Sequence, residues 1–281
     1  MPPTVIQLFI GFTLSLLIGW IAYRRRSLNR SGVLGAVIVG ATTFGLGGLS
    51  WAMVVVAFFV TSSWLTHYRI DQKREAAAEF AKAGGSRDFA QVMANGGAAV
   101  LLAIAGAFWA PFASLTFAAF IGAMATATAD TWATELGLLS REKPRLITTW
   151  QETRAGENGA VSALGLTAAA TGALFIGSVA LLGSFVEGLF GDAMVRAPTW
   201  MPTTALIAGW LGSVVDSLLG ATLQAAYYCA PDDKYTEKPV HSCGRPAIHV
   251  RGLGWMNNDA VNFLSSVAGA VTAVLVYIGI R

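Results

Sequence analysis

Long apolar blocks alternate with short polar ones along the whole chain. The blocks run Thr4 to Tyr23, Gly32 to Leu49, Trp51 to Thr66, Asn95 to Phe112, Ser114 to Leu136, Ala160 to Val186, Thr203 to Tyr227 and Asn257 to Ile280. Most approach or exceed the roughly 20 residues with which a helix crosses a bilayer, and in lipid only a helix or a closed barrel satisfies its own backbone. The pattern predicts an all-α, polytopic membrane bundle of about eight spans (range six to eight). Gly47-Gly48 reads as a tight turn between the second and third spans, the second being short and glycine-rich. Asp71 to Lys82 has the alanine, glutamate and lysine content of a surface helix. No repeat or linker divides the chain, so residues 1–281 read as one membrane domain with polar loops at 67–93, 140–159 and 231–256.

Composition agrees: 54% of residues are hydrophobic and 12% charged, against about 25% charged in a soluble domain. The placement of charge adds more than its total. Taking the N-terminus as outside, four, five, four and four basic residues fall in successive inner loops, 17 of 19 in all; Arg196 and Arg281 are the remainder. The positive-inside rule therefore predicts an external N-terminus, and no basic residue precedes the first span as one would in a signal peptide. Two cysteines are too few for a disulfide framework.

Against this background the acids stand out. Asp130 lies inside an apolar run and Glu135 near its end, in Thr126-Ala-Thr-Ala-Asp-Thr-Trp-Ala-Thr-Glu-Leu-Gly137. Carboxylates at membrane depth are costly and mark sites that pair, bind ions or meet substrate. At about 100° per residue, Thr126, Asp130 and Thr134 share a face, and Glu135 converges with Asp130 only if the helix frays near Gly137. Asp216 sits midway along the seventh span, on one face with Gly212 and Gly220. Asp259 opens the last span, where Asn258, Asn262 and Ser266 form a stripe. Asn95 is expected to start a span on the same side. Carboxylates and amides facing loops rich in Arg and Lys form the parts list of phosphoryl transfer: oxygen ligands for Mg²⁺, and cations for phosphate charge. Buried acids also serve proton and cation transporters, and a polar seam between helices accounts for them without chemistry.

Between the fifth and sixth spans, Arg145, Thr148, Arg154 and the Gly156-Glu-Asn158-Gly turn can offer cations and backbone N–H groups to a phosphate; an ordinary basic loop is the alternative. The loop cations Lys73, Arg74, Lys82 and Arg87 read as topology determinants or headgroup contacts. Cys229, Asp232, His241 and Cys243 offer a zinc ligand set at loose spacing, and two reduced cysteines with a surface histidine are the alternative.

Taken together, Ala94-Asn-Gly-Gly97, Ala129-Asp-Thr-Trp-Ala-Thr-Glu-Leu-Gly137, Arg145-Leu-Ile-Thr148, Gly156-Glu-Asn-Gly159, Asp216-Ser-Leu-Leu-Gly-Ala-Thr-Leu-Gln224 and Asn257-Asn-Asp-Ala-Val-Asn-Phe-Leu-Ser265 resemble the phytyl-phosphate kinase family. The resemblance runs from about Ser31 to Ser266 in one order. It implies a multi-span enzyme that phosphorylates an isoprenoid monophosphate (phytyl, geranylgeranyl or farnesyl phosphate) from a nucleoside triphosphate, CTP being the expected donor. On this reading Asp130, Glu135, Asp216 and Asp259 hold or position Mg²⁺. Asn95, Arg145, Thr148, Arg154, Asn158, Asn258 and Asn262 bind substrate and nucleotide. Membrane lipids are the surroundings, a bacterial cell membrane the expected location with the site on its cytoplasmic side, and no nucleic acid partner is expected. A cytidylyltransferase making a CDP-lipid, and a cation- or proton-coupled transporter, are the other readings; oligomeric state stays open.

Overall fold

The structure is a computed structural model that describes residues 5–77, 85–190, 199–241 and 243–280. Nine helices are found among them: α1 Val5–Arg24, α2 Arg30–Thr42, α3 Leu49–His67, α4 Ile70–Ala76, α5 Phe89–Phe108, α6 Ala113–Gly137, α7 Ala163–Phe190, α8 Trp200–Thr222 and α9 Asn258–Ile280. A π-helical turn, Thr43–Gly47, extends α2, and together they make one of eight segments long and apolar enough to span a membrane. Gly48, at φ +94°, makes the expected sharp turn into α3, a conformation that costs glycine little. Short strands lie between the helices: β1 Arg145–Leu146 pairs with β2 Ala160–Val161, and β3 Ala226–Cys229 is flanked by β4 Lys234–Thr236 and β5 Ile248–Arg251, all antiparallel.

Helix α6 is the axis. It packs against α3, α5, α7, α8 and α9, and every residue from Ala118 to Ala129 is buried. A helix apolar on all sides belongs in an interior, and small side chains let its neighbours approach closely. Helix α1 is at the opposite extreme. Its buried residues, Gly11, Ser15, Gly19 and Ala22, form one stripe against α2 and the π-turn, while Val5, Phe9 and Trp20 face outward.

Three helices meet at Thr126. A Cβ added to Gly212 of α8 or to Gly269 of α9 would collide with the Thr126 side chain. The Thr126 hydroxyl donates to Gly122 O at 2.9 Å within its own helix and reaches Ala208 O of α8 at 3.4 Å. One helical turn further, α6 presents Asp130 and α8 presents Asp216; the corresponding step on α9, which runs the other way, presents Ser265. Gly212→Ala is therefore expected to cost about 1–3 kcal/mol through overpacking. Thermal unfolding in detergent checks this, with Gly279→Ala, where no atom lies within 4 Å, as the variant that leaves stability unchanged.

Several boundaries differ from the sequence reading, each for a local reason. Helix α5 opens at Phe89 and not at Asn95, because Asp88 and Gln91 form a capping box: the Asp88 carboxylate accepts from Gln91 N at 3.0 Å, and Gln91 Oε1 accepts from Asp88 N at 3.1 Å. Helix α8 stops at Thr222, short of Tyr227, because Ala225 N donates to Met256 O at 2.8 Å and draws the chain into β3. Helix α6 stays regular through Gly137 and does not fray. The surface helix expected over Asp71 to Lys82 is seen as α4, Ile70–Ala76, and Lys82 lies outside the described residues, as do Arg196 and Arg281.

Candidate functional site

At the end of the bundle where α6 and α8 finish and α5, α7 and α9 begin, a cavity of ≈ 750 Å³ opens. Its wall collects Asp130 and Glu135 of α6, Asp216 of α8 and Asn258 of α9, with Asn158 from the loop before β2. Ser265 Oγ donates to Asp216 Oδ2 at 2.9 Å, so α9 orients the α8 carboxylate.

Glu135 is held in a different way. Lys73 of α4 is 1% exposed and places its Nζ 2.5 Å from Glu135 Oε2. The same ammonium donates to Leu65 O, and lies 3.4 Å from Thr66 O, at the C-terminal end of α3. Thr66 Oγ1 donates to Glu135 Oε1 at 2.7 Å. A cation at a helix C-terminus meets unsatisfied carbonyls and the negative end of the helix dipole. Lys73 thus ties α3, α4 and α6 together at the cavity wall. Nearby, the Arg87 guanidinium lies 5.8 Å from the Phe58 ring centroid. Desolvation holds its pKa below the ordinary value, and the Glu135 carboxylate opposes that shift.

The Gly156-Glu-Asn-Gly159 turn forms a continuous strip of the wall that runs on to Ser162. Gly156 and Gly159 take φ +88° and +82°, and a Cβ on Gly159 would also run into Ala221 at the end of α8. β1 braces this turn: Leu146 pairs with Ala160, and Ile147 N donates to Gly159 O at 3.0 Å. Ser162 then caps α7, its Oγ accepting from Gly165 N at 3.1 Å. The first turns of α5, α7 and α9 contribute Gln91, Gly165 and Asn258 to the wall. Three positive helix ends therefore face a space that also holds carboxylates, an arrangement suited to an anion bound beside a cation.

The structure gathers Asp130, Glu135, Asp216, Asn158 and Asn258 around one space. The other expected site residues lie outside that lining. Asn95 is in the second turn of α5 and donates to Gln91 O at 2.9 Å. Asn262 gives its carbonyl to Ser265 Oγ. Asp259 is in the first turn of α9, next to Asn258. Arg145 Nη1 donates to Trp150 O at 3.1 Å, so Arg145 and Thr148 belong to the strand and turn that support the glycine loop. Arg154 precedes that loop by one residue from its lining stretch.

The cations that do line the cavity, Lys73 and Lys238, came from loops read as topology determinants. The signal for Lys73 was its spacing. Ile70, Lys73 and Ala77 share a helix face, and Ala77 is 1% exposed, so the lysine occupies a core position. Lys238 arrives on the segment after β4. Buried Gln224 fastens that segment, donating from Nε2 to Glu237 Oε1 at 2.7 Å.

The description Integral membrane protein DUF92 fits a family model that matches residues 13–270. Protein PGR of Arabidopsis thaliana is 35% identical over 272 residues, covering 92% of each chain. The membrane protein MJ0933 of Methanocaldococcus jannaschii is 27% identical over 274 residues, 98% of this chain and 96% of its own. Protein VTE6, chloroplastic, of Arabidopsis thaliana is 25% identical over 251 residues, 88% of this chain and 65% of its own. No solved structure matches.

Proposed function

Because this chain belongs to the DUF92 family of integral membrane proteins, and its motifs resemble those of phytyl-phosphate kinases, we propose that it is a membrane phosphotransferase. It moves the terminal phosphate of a nucleoside triphosphate, CTP by that resemblance, onto an isoprenoid monophosphate to give the diphosphate. The observation that carries this reading is that Asp130 and Asp216, each one turn beyond the same helix crossing, line one cavity with a glycine loop, helix N-termini and Lys238. The density of Arg and Lys in the surrounding loops favours a cytoplasmic location for this end.

The residues fit Mg²⁺, an ion of oxygen ligands: Asp130, Asp216 and the Asn258 amide are the donors that would hold it, and it would neutralise charge across the transferring phosphates. The protein's own groups do the rest. The glycine loop receives phosphate oxygens on backbone N–H groups, and the positive end of the α7 dipole lies beside it. Lys238 adds positive charge at the wall, while Lys73 neutralises Glu135. An oxygen of the lipid phosphate attacks the terminal phosphorus; that O–P bond forms as the bond to the bridging oxygen breaks, and nucleoside diphosphate leaves. The acceptor is already a dianion near neutral pH, so positioning and charge neutralisation suffice without a strong base. The isoprenoid tail lies between spans and enters from the bilayer.

The test is a product assay on purified protein in detergent, with Mg²⁺, labelled CTP or ATP, and phytyl or geranylgeranyl phosphate. Lipid diphosphate with nucleoside diphosphate is the expected outcome. A CDP-lipid with pyrophosphate would instead make it a cytidylyltransferase. Ion-coupled flux in vesicles without nucleotide turnover would make it a transporter.

A further inference from the structure

Beside the cavity, the loop between α8 and α9 folds into the three-stranded sheet and brings together four side chains from two short stretches of the loop. Cys229 ends β3 and is fully buried, and Asp232 lies in the four-residue turn to β4. His241 is 5% exposed and Cys243 follows two residues later. Their ligand atoms all lie within 4.8 Å of one another. We propose that these four residues bind one Zn²⁺ ion as a structural site, with two thiolates, one imidazole and one carboxylate.

The distances support a tetrahedral ion. Zn–S bonds of about 2.3 Å place two thiolates on a tetrahedron about 3.8 Å apart; here the two Sγ atoms are 3.7 Å apart. Zn–N and Zn–O bonds of about 2.0–2.1 Å give an edge of about 3.3 Å, and His241 Nδ1 is 3.0 Å from Asp232 Oδ2. Both cysteines are free thiols. The His241–Asp232 contact accounts for two of the four side chains; the two thiols meet at the same point, 3.7 Å apart, with Cys243 N 3.5 Å from His241 Nδ1.

The backbone is built to hold the group. Beyond β4, Val240 bridges Pro246, His241 N donates to Arg245 O at 3.0 Å, and Gly244 N donates to His241 O at 2.9 Å. This tight turn presents His241 and Cys243 to the β3–β4 hairpin. The same segment supplies Glu237, Lys238 and His241 to the cavity wall. A bound ion would fix that wall by cross-linking two ends of the loop, since a ligand that binds only the folded state stabilises it. The inference does not depend on which reaction the cavity performs.

The full-length protein, purified in detergent without chelator or a histidine tag, is expected to hold about one zinc per chain by elemental analysis. Blocking the thiols with an organomercurial should release it. Growth with Co²⁺ should give thiolate-to-cobalt charge transfer and the intense visible bands of a tetrahedral ion. Cys229→Ser and Cys243→Ser are expected to retain less than a tenth of the metal. Asp232→Cys keeps a full ligand set and should bind zinc at least tenfold more tightly, because a third thiolate suits this ion better than a carboxylate. Wild-type protein without zinc after growth in zinc-rich medium, with thiols that alkylate equally fast with and without added Zn²⁺, would overturn the proposal, whatever the product assay shows.

Discussion

Asp130→Asn is expected to lower turnover of lipid phosphate and nucleotide by at least about 100-fold, the loss typical when one preorganised electrostatic group is removed from a phosphoryl- or acyl-transfer site. The neutral amide has nearly the same shape, so the variant should elute and unfold like the parent. The same substitution at Asp216 should act in the same direction, because both carboxylates belong to one cavity and residues acting as a unit are not additive. The double variant should then be little worse than either single one. Steady-state kinetics with lipid diphosphate as the readout check this. Unchanged turnover in folded Asp130→Asn protein would remove the acid pair from the chemistry.

Lys73→Ala is expected to give the largest loss of stability. It strands the Glu135 carboxylate, which is 17% exposed, and withdraws the donor from the last carbonyls of α3. Breaking a buried ion pair from one side costs about 3–5 kcal/mol. Replacing both partners, as in Lys73→Met with Glu135→Gln, should recover much of that, because no uncompensated charge is left behind. Thermal unfolding of both variants beside the parent in one detergent separates the outcomes. A Lys73→Ala protein as stable as the parent would show that the pair holds nothing together.

The spans were legible because a bilayer demands apolar length, and the same rule set most of their ends to within a few residues. The ends that moved were governed by single side chains. Asp88 and Gln91 cap α5 six residues before Asn95, and strand pairing by Ala225 stops α8 early. Asp130, Asp216 and Asn258 were legible for a related reason: polar groups in apolar surroundings need an explanation, and three helices supplied the same one. Arg145 could not be placed from sequence, because a cation in a loop reads alike whether it faces substrate or, as here, donates to the Trp150 carbonyl. Lys73 was misread because a loop lysine is ordinarily a solvated one, and its burial depends on Glu135, 62 residues away. Cys229, Asp232, His241 and Cys243 read as a loose ligand set in sequence, but their convergence rests on the β3–β4 hairpin and the turn after Val240, which spacing alone does not specify.

The contrast between α6 and α1 divides the chain by how much change it can accept. From Ala118 to Ala129 the alanines, glycine and threonines have neighbours on every side. Substitution there is limited to residues no larger than those present. On α1, the outward positions are exposed and packed on nothing in this chain's bundle, so that any apolar residue serves there. The outer helices could therefore follow the membrane around them, while the stretch that sets how closely α6 meets α8 and α9 stayed fixed.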